Sequence, residues 1–181
     1  TYPNASITYY ASDMILSIDA DASYLGETGA RSRAACTFKF VTRDNPDYEN
    51  GLIECISTII PTVVTSAAEA EYAGLFIAGQ TGLAYRHTLH DLKCPQLPTG
   101  TRITCDNLTS GKICHREWKS KRSKPMDMRY HWIRDRCDLK DFYIEWRKGE
   151  DFDAVLRRAD GALYSAKAAG RNRLAEAKAT A

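Results

Sequence analysis

The sequence predicts an α/β domain, with a mixed five-stranded sheet flanked by helices. Three observations lead to this. Strand-like segments come first and in succession, a long helical repeat follows them, and short strands then alternate with helices, the order expected when later strands need crossover connections.

Ile15-Leu16-Ser17-Ile18-Asp19-Ala20-Asp21 partly alternates apolar with polar residues and closes on a carboxylate, as a strand leading into a site would. Residues 35–42 and 51–57 are the next two strands, separated by the turn signal Asn45-Pro46-Asp47, and the short connections make the three an antiparallel meander. From Ser66 the period changes. Ser66 stands as a helix cap with Glu69 at capping-box spacing, and Tyr72, Leu75, Phe76 and Leu83 recur at helical intervals as far as about Leu92. A loop containing Pro95 and Gly100 leads into residues 102–106, a short strand that again ends on a carboxylate, and a second helix follows Asn107. A basic loop runs from Trp118 to Lys124, residues 126–137 place Met128, Trp132 and Ile133 on a helical repeat, and Asp141 to Trp146 forms the fifth strand.

With 181 residues the chain fits one domain plus at most an appended element, and 44% hydrophobic with 27% charged residues is the balance of a folded globular protein. No run approaches the roughly 18 consecutive apolar residues of a membrane helix, and the first residues lack the plan of a signal peptide, so a soluble intracellular protein with no membrane partner is expected. The six cysteines are spread without a C-x-x-C pair and are expected as reduced core thiols. Because the chain begins at Thr1 and closes on an Ala-rich tail, it is expected to be a segment of something longer. Charge is unevenly placed. Residues 1–60 hold four Lys/Arg against eight Asp/Glu, a balance of −4, whereas residues 112–136 hold nine against three, a balance of +6. An acidic centre beside a basic rim is how a metal-dependent nuclease must be arranged, although a solvated helix face shows a similar pattern.

Three carboxylates stand where such a sheet brings its strand ends together: Asp21 after the first strand, Glu71 near the start of the long helix, and Asp106 after the fourth strand. Hydrolysis of a phosphodiester by two hard cations about 4 Å apart needs acidic oxygens from separate elements. Spacing alone does not single these three out, because 23 acidic residues offer others at element ends. His87, His90 and His115 lack metal-ligand spacing, so zinc is not expected, and Trp132 is assigned to core packing.

The words around the carboxylates are more specific. Asp21-Ala22-Ser23-Tyr24-Leu25 followed by Ala30-Arg31-Ser32-Arg33-Ala34, then Ser66-Ala67-Ala68-Glu69-Ala70-Glu71-Tyr72, then Cys105-Asp106-Asn107, then Lys121-Arg122-Ser123-Lys124-Pro125-Met126-Asp127-Met128-Arg129-Tyr130, occur in this order. Together they resemble the ribonuclease H domain of copia-type retrotransposon polyproteins over about residues 1–150. The resemblance implies a ribonuclease H-like fold, two Mg²⁺ or Mn²⁺ ions, and hydrolysis of the RNA strand of an RNA·DNA hybrid during reverse transcription. It also implies an upstream reverse transcriptase domain as partner, and a cytoplasmic location, within virus-like particles, or a nuclear one. Carried over residue by residue, the metal ligands fall on Asp21, Glu71 and Asp106. Glu69 competes with Glu71, and Asp19, Glu69 and Asp127 are expected to face solvent or to support the ligands from behind.

The fourth ligand departs from the family. Trp146-Arg147-Lys148-Gly149 is present, but the N-L-A-D phrase that follows in the family is replaced by Asp151-Phe152-Asp153-Ala154. Asp153 is the closest replacement and Asp151 the second; the alternative is that Asp151 only caps a helix and the last ligand is lost. Residues 151–181 form a divergent C-terminal helix and tail, in which Ala159-Asp160-Gly161-Ala162-Leu163-Tyr164 through Gly170-Arg171-Asn172-Arg173 resembles the end of diguanylate cyclase domains. The G-G-D-E-F loop of that family is absent, so cyclase activity is not expected, and the segment reads as a fusion or a sequence artefact.

Lys119, Lys121, Arg122 and Lys124 are dense enough to contact a phosphate backbone, and Ser23 and Asn107 are further candidates for substrate contact, Asn107 also being a natural helix cap. Two functions therefore remain in view: a metal-dependent endoribonuclease acting on hybrids, and a catalytically impaired hybrid-binding domain of the same fold. An integrase or transposase is disfavoured because such enzymes usually end their triad on a glutamate after the second aspartate, and no accompanying zinc-binding or end-binding segment appears.

Overall fold

The computed structural model describes residues 7–48, 50–114 and 128–147, all within the compact unit Thr1–Arg147. Five strands and three helices follow the chain order β1 (Ile15–Glu27), β2 (Arg31–Val41), β3 (Leu52–Ile59), α1 (Ala67–Asp91), β4 (Thr101–Cys105), α2 (Leu108–Cys114), α3 (Met128–Asp138) and β5 (Phe142–Trp146). The strands form one sheet in the order β3-β2-β1-β4-β5. β1 pairs antiparallel with β2 and β2 antiparallel with β3, while β1–β4 and β4–β5 are parallel, so the mixed α/β architecture is as the sequence predicts.

Strand alternation assigns the two faces of the sheet. Leu16 and Ile18 on β1, Phe38 on β2, Ile103 on β4 and Phe142 and Ile144 on β5 join Tyr72 and Leu75 of α1 and Ile133 of α3 in the apolar core. The buried side of α1 is built largely from small residues, including Ala70, Ala73, Gly74, Ala78, Gly79 and Gly82. They let the helix lie close to the sheet: a Cβ on Gly82 would meet Ile18 Cδ1 at 2.5 Å. The start of α1 matches its sequence signature, since Ser66 Oγ accepts from the Glu69 N–H at 3.2 Å.

The opposite face is polar. Ser17 and Asp19 of β1 lie in register with Arg102 and Thr104 of β4 and with Lys39 and Thr37 of β2. Arg102, buried there, donates to Asp47 Oδ1 at 2.7 Å, to Glu145 Oε2 at 3.3 Å and to Ser17 Oγ at 3.2 Å, and also to the Pro46 carbonyl. Arg147 reaches the same two carboxylates, Asp47 at 2.5 Å and Glu145 at 3.3 Å. The turn between β2 and β3 is thereby tied across the sheet to β4 and β5.

Two strands differ from expectation. β1 does not stop at Asp21 but runs to Glu27, and β2 starts at Arg31, four residues before the expected position, the two joined by a tight turn in which Gly29 has φ +74°. Most of residues 21–28 are exposed. The covered positions of this arm on β2 are filled by Ser32 and Ala34, a polar and a small residue, so the apolar alternation by which a strand is recognised is faint. The cysteines are all free, but only Cys36, Cys105 and Cys114 are buried; Cys55 is exposed on β3, contrary to the expectation of six core thiols.

Candidate metal centre

Three elements each deliver one carboxylate to one place. The last register pair between β1 and β4 is Asp19↔Thr104, and Asp21 and Asp106 each stand two residues beyond it. Because the two strands run parallel, both aspartates lie toward the same end of the β1–β4 pair, Asp21 within β1, which continues to Glu27, and Asp106 just past the end of β4. Glu71 comes from the second turn of α1, and its Oε1 accepts from the backbone N–H of Ala22 at 3.2 Å. One ligand atom from each of Asp21, Glu71 and Asp106 lies within 4.8 Å of the other two.

Glu71 is buried, whereas Asp21 and Asp106 are exposed. Burial, reinforced by the negative charges of Asp106 and Asp21, pushes the Glu71 carboxyl up to about 8, against an opposing pull from the Ala22 amide. Asp106 is likewise raised, by burial first and by Asp21 second. Clustered anions therefore repel one another with no cationic side chain among the three. The donor set fits a hard divalent cation: oxygen ligands only, held by separate rigid elements, with two of the three carboxylates reachable from water.

Of the two helix glutamates, Glu71 lies in the carboxylate cluster and Glu69 does not. Glu69 turns back to the helix start, where its Oε2 accepts from both the N–H and the hydroxyl of Thr65 at 2.7 Å. It is 8% exposed, so the expectation that it faces solvent is corrected: its carboxylate is held at the start of the helix by Thr65. Asp19 is also engaged, with Lys39 at 3.5 Å, Thr37 at 3.5 Å and the Thr104 hydroxyl, and stays outside the cluster.

Ser23 is exposed on the β1 arm two residues past Asp21. Asn107 caps α2, its Oδ1 accepting from the Thr109 N–H at 2.9 Å. Trp132 stacks edge-on against Phe76 with centroids 5.7 Å apart, a packing role. Asp153, Asp151, Asp127, Lys119, Lys121, Arg122 and Lys124, together with the whole 151–181 segment, lie outside the described residues.

Sequence reasoning missed the backbone supports of the centre. Trp146 Nε1 donates to the Asp106 carbonyl at 2.9 Å, and the Arg147 N–H donates to the Cys105 carbonyl at 2.9 Å. A tryptophan closing a strand was the signal available, but its partner forty residues earlier is a backbone atom that no motif marks.

The fold is similar to that of the N-terminal RNase H domain of Rv2228c from Mycobacterium tuberculosis, with 16% identity over 86% of this chain and 98% of that one and a TM-score of 0.50. It is also similar to LC11-RNase H1, an enzyme isolated from compost. In its complex with an RNA/DNA hybrid the identity is 12% over 75% of this chain and 86% of that one, with a TM-score of 0.52. In a second structure of that protein the values are 15%, 82%, 91% and 0.51. No protein-family model and no curated protein matches the chain. At these identities the likeness establishes the fold, and the chain has a ribonuclease H-like fold.

Proposed function

We propose that this domain is a metal-dependent endoribonuclease that hydrolyses the RNA strand of RNA·DNA hybrids during reverse transcription of a copia-type retrotransposon. The observation that carries the reading is the convergence of Asp21, Glu71 and Asp106, drawn from distant parts of the chain, within 4.8 Å of one another beside the last register pair of two parallel strands. The same residues stand within the words that resemble the retrotransposon domain, and a protein of similar fold, LC11-RNase H1, has been solved with an RNA/DNA hybrid.

In this proposal Asp21, Glu71 and Asp106 hold two Mg²⁺ or Mn²⁺ ions, with Asp153 as the fourth ligand. When bound, such ions supply an activated water and stabilise the departing 3′ oxygen. Glu71 keeps its proton near neutral pH while the anions are uncompensated, and gives it up when positive charge arrives. Lys119, Lys121, Arg122 and Lys124 contact phosphates and set the position of the hybrid without reading its sequence. Asn107, whose side-chain oxygen accepts from the Thr109 N–H, is the candidate for contact to a 2′-hydroxyl. The hybrid arrives from an upstream reverse transcriptase of the same polyprotein, in cytoplasmic virus-like particles or in the nucleus.

A second reading is favoured by one observation, the replacement of the N-L-A-D phrase after Gly149. If Asp153 does not ligate, the domain binds hybrids but cuts them poorly. The test is direct. Purified protein with Mg²⁺ should cleave a labelled hybrid and spare duplex DNA, and Asp21→Asn should abolish cleavage. Equal activity in that variant would overturn the enzyme; hybrid binding without cleavage in the unmodified protein would select the second reading.

A further inference from the structure

We infer that Trp146 is a positioning residue for the metal centre, its indole N–H holding the Asp106 peptide so that the Asp106 carboxylate stays in register with Asp21 and Glu71. This rests on the reading of the centre as a divalent-metal site.

Asp106 occupies an unsupported place in the chain. The register pairs of β4 with β1 end at Thr104, and those with β5 end at Cys105↔Trp146. Beyond these, Asp106 is the single residue between the strand and Asn107, whose carbonyl and side chain already serve α2 through Gly111 N–H at 3.2 Å and Thr109 N–H at 2.9 Å. The peptide joining Asp106 to Asn107 is thus the joint between strand and helix, and rotation about it swings the carboxylate. The Asp106 carbonyl accepts from Trp146 Nε1 at 2.9 Å, directly after the last strand pair.

A restraint is needed at this joint because Asp106 is pressed against Asp21 and Glu71 by chain geometry and pushed away from them by charge. Trp146 lies 44% exposed, so its ring contributes less to the core than a tryptophan usually does. Cys105, its register partner on the neighbouring strand, is buried, and Gly111 of α2 lies next to it, where a Cβ would make ordinary contact with Trp146 Cβ at 4.0 Å. The side chain therefore reaches the joint along the outside of the sheet end, where its donor rather than its bulk is used.

The test compares Trp146→Phe, which keeps a ring and removes the N–H, with the unmodified chain. Calorimetric titration with Mn²⁺ should show affinity reduced about tenfold, the scale found when a group orienting a metal ligand is removed, with melting temperature nearly unchanged. Hybrid cleavage by the variant should fall at low Mg²⁺ and recover at high Mg²⁺, with KM for the hybrid unaltered. Affinity for Mn²⁺ within about twofold of the parent overturns the inference and leaves the nuclease reading standing. A raised KM with unchanged metal affinity also overturns it, by assigning the ring to substrate. An arm independent of metal uses ¹⁵N-labelled protein: the Trp146 indole N–H should exchange slowly with solvent, and rapid exchange overturns the hydrogen bond itself. Should the unmodified chain bind no Mn²⁺, the metal centre and this inference fall together.

Discussion

The backbone N–H of Ala22 donates to the carboxylate of Glu71 across 3.2 Å, tying the helix residue to the strand residue that immediately follows Asp21. That single bond fixes the depth at which Glu71 sits and keeps two acidic groups adjacent despite their repulsion.

Glu71 makes cation binding dependent on pH. Its carboxyl, ordinarily near 4.5, is pushed up to about 8 in the folded protein, so the folded chain holds a proton that the unfolded chain has released between those values. Stability of the metal-free protein should therefore fall as pH rises from about 4.5 through about 8. Cation affinity should rise over the same window, with close to one proton released per binding event at pH 7. Calorimetry in buffers of different ionisation enthalpy measures that proton, and an affinity flat from pH 6 to 8 would contradict the assignment.

Asp106→Asn should separate stability from activity. Removing one of the clustered charges relieves repulsion on Glu71 and Asp21, and thermal unfolding without metal should show a gain on the order of 1 kcal/mol. Cleavage of hybrid should be lost, because a neutral amide is a poor ligand for a hard cation. A destabilised variant, or an active one, would count against the shared site.

The two helix glutamates should behave oppositely. Glu69→Gln weakens the carboxylate's bonds to Thr65 and should cost roughly 1 kcal/mol in denaturant unfolding, while leaving metal affinity intact. Glu71→Gln should abolish metal-dependent cleavage without that loss of stability. Interchanged phenotypes would reverse the assignment of Glu69 to the cap.

Arg102→Ala should destabilise by roughly 2–3 kcal/mol, since it deletes a buried side chain that joins Asp47, Glu145 and Ser17. Arg102 stands four residues before Asp106 and its register partner Ser17 four before Asp21, so Mn²⁺ affinity measured well below the melting temperature should change little. A large loss of affinity at unchanged stability would place Arg102 in the functional site.

How much of this was legible in the chain depends on how local the cause is. The cap at Ser66, the helical repeat through Leu75 and the strand that ends before Asp106 are short-range patterns, and they determined the element order and the sheet, while Asp21, Glu71 and Asp106 were marked by the words around them rather than by spacing. The length of the β1 arm was hidden because most of residues 21–28 are exposed and the buried positions opposite them are the small Ser32 and Ala34. The choice between Glu69 and Glu71 needed the tertiary structure, because two glutamates one residue apart are alike in sequence and differ by about 200° around a helix. Only the packed fold turns one back to Thr65 and the other onto Ala22. The same holds for Trp146 and Arg102, whose partners are a backbone carbonyl and a turn brought near by strand pairing, contacts between distant positions that neither residue's neighbours in the chain foretell.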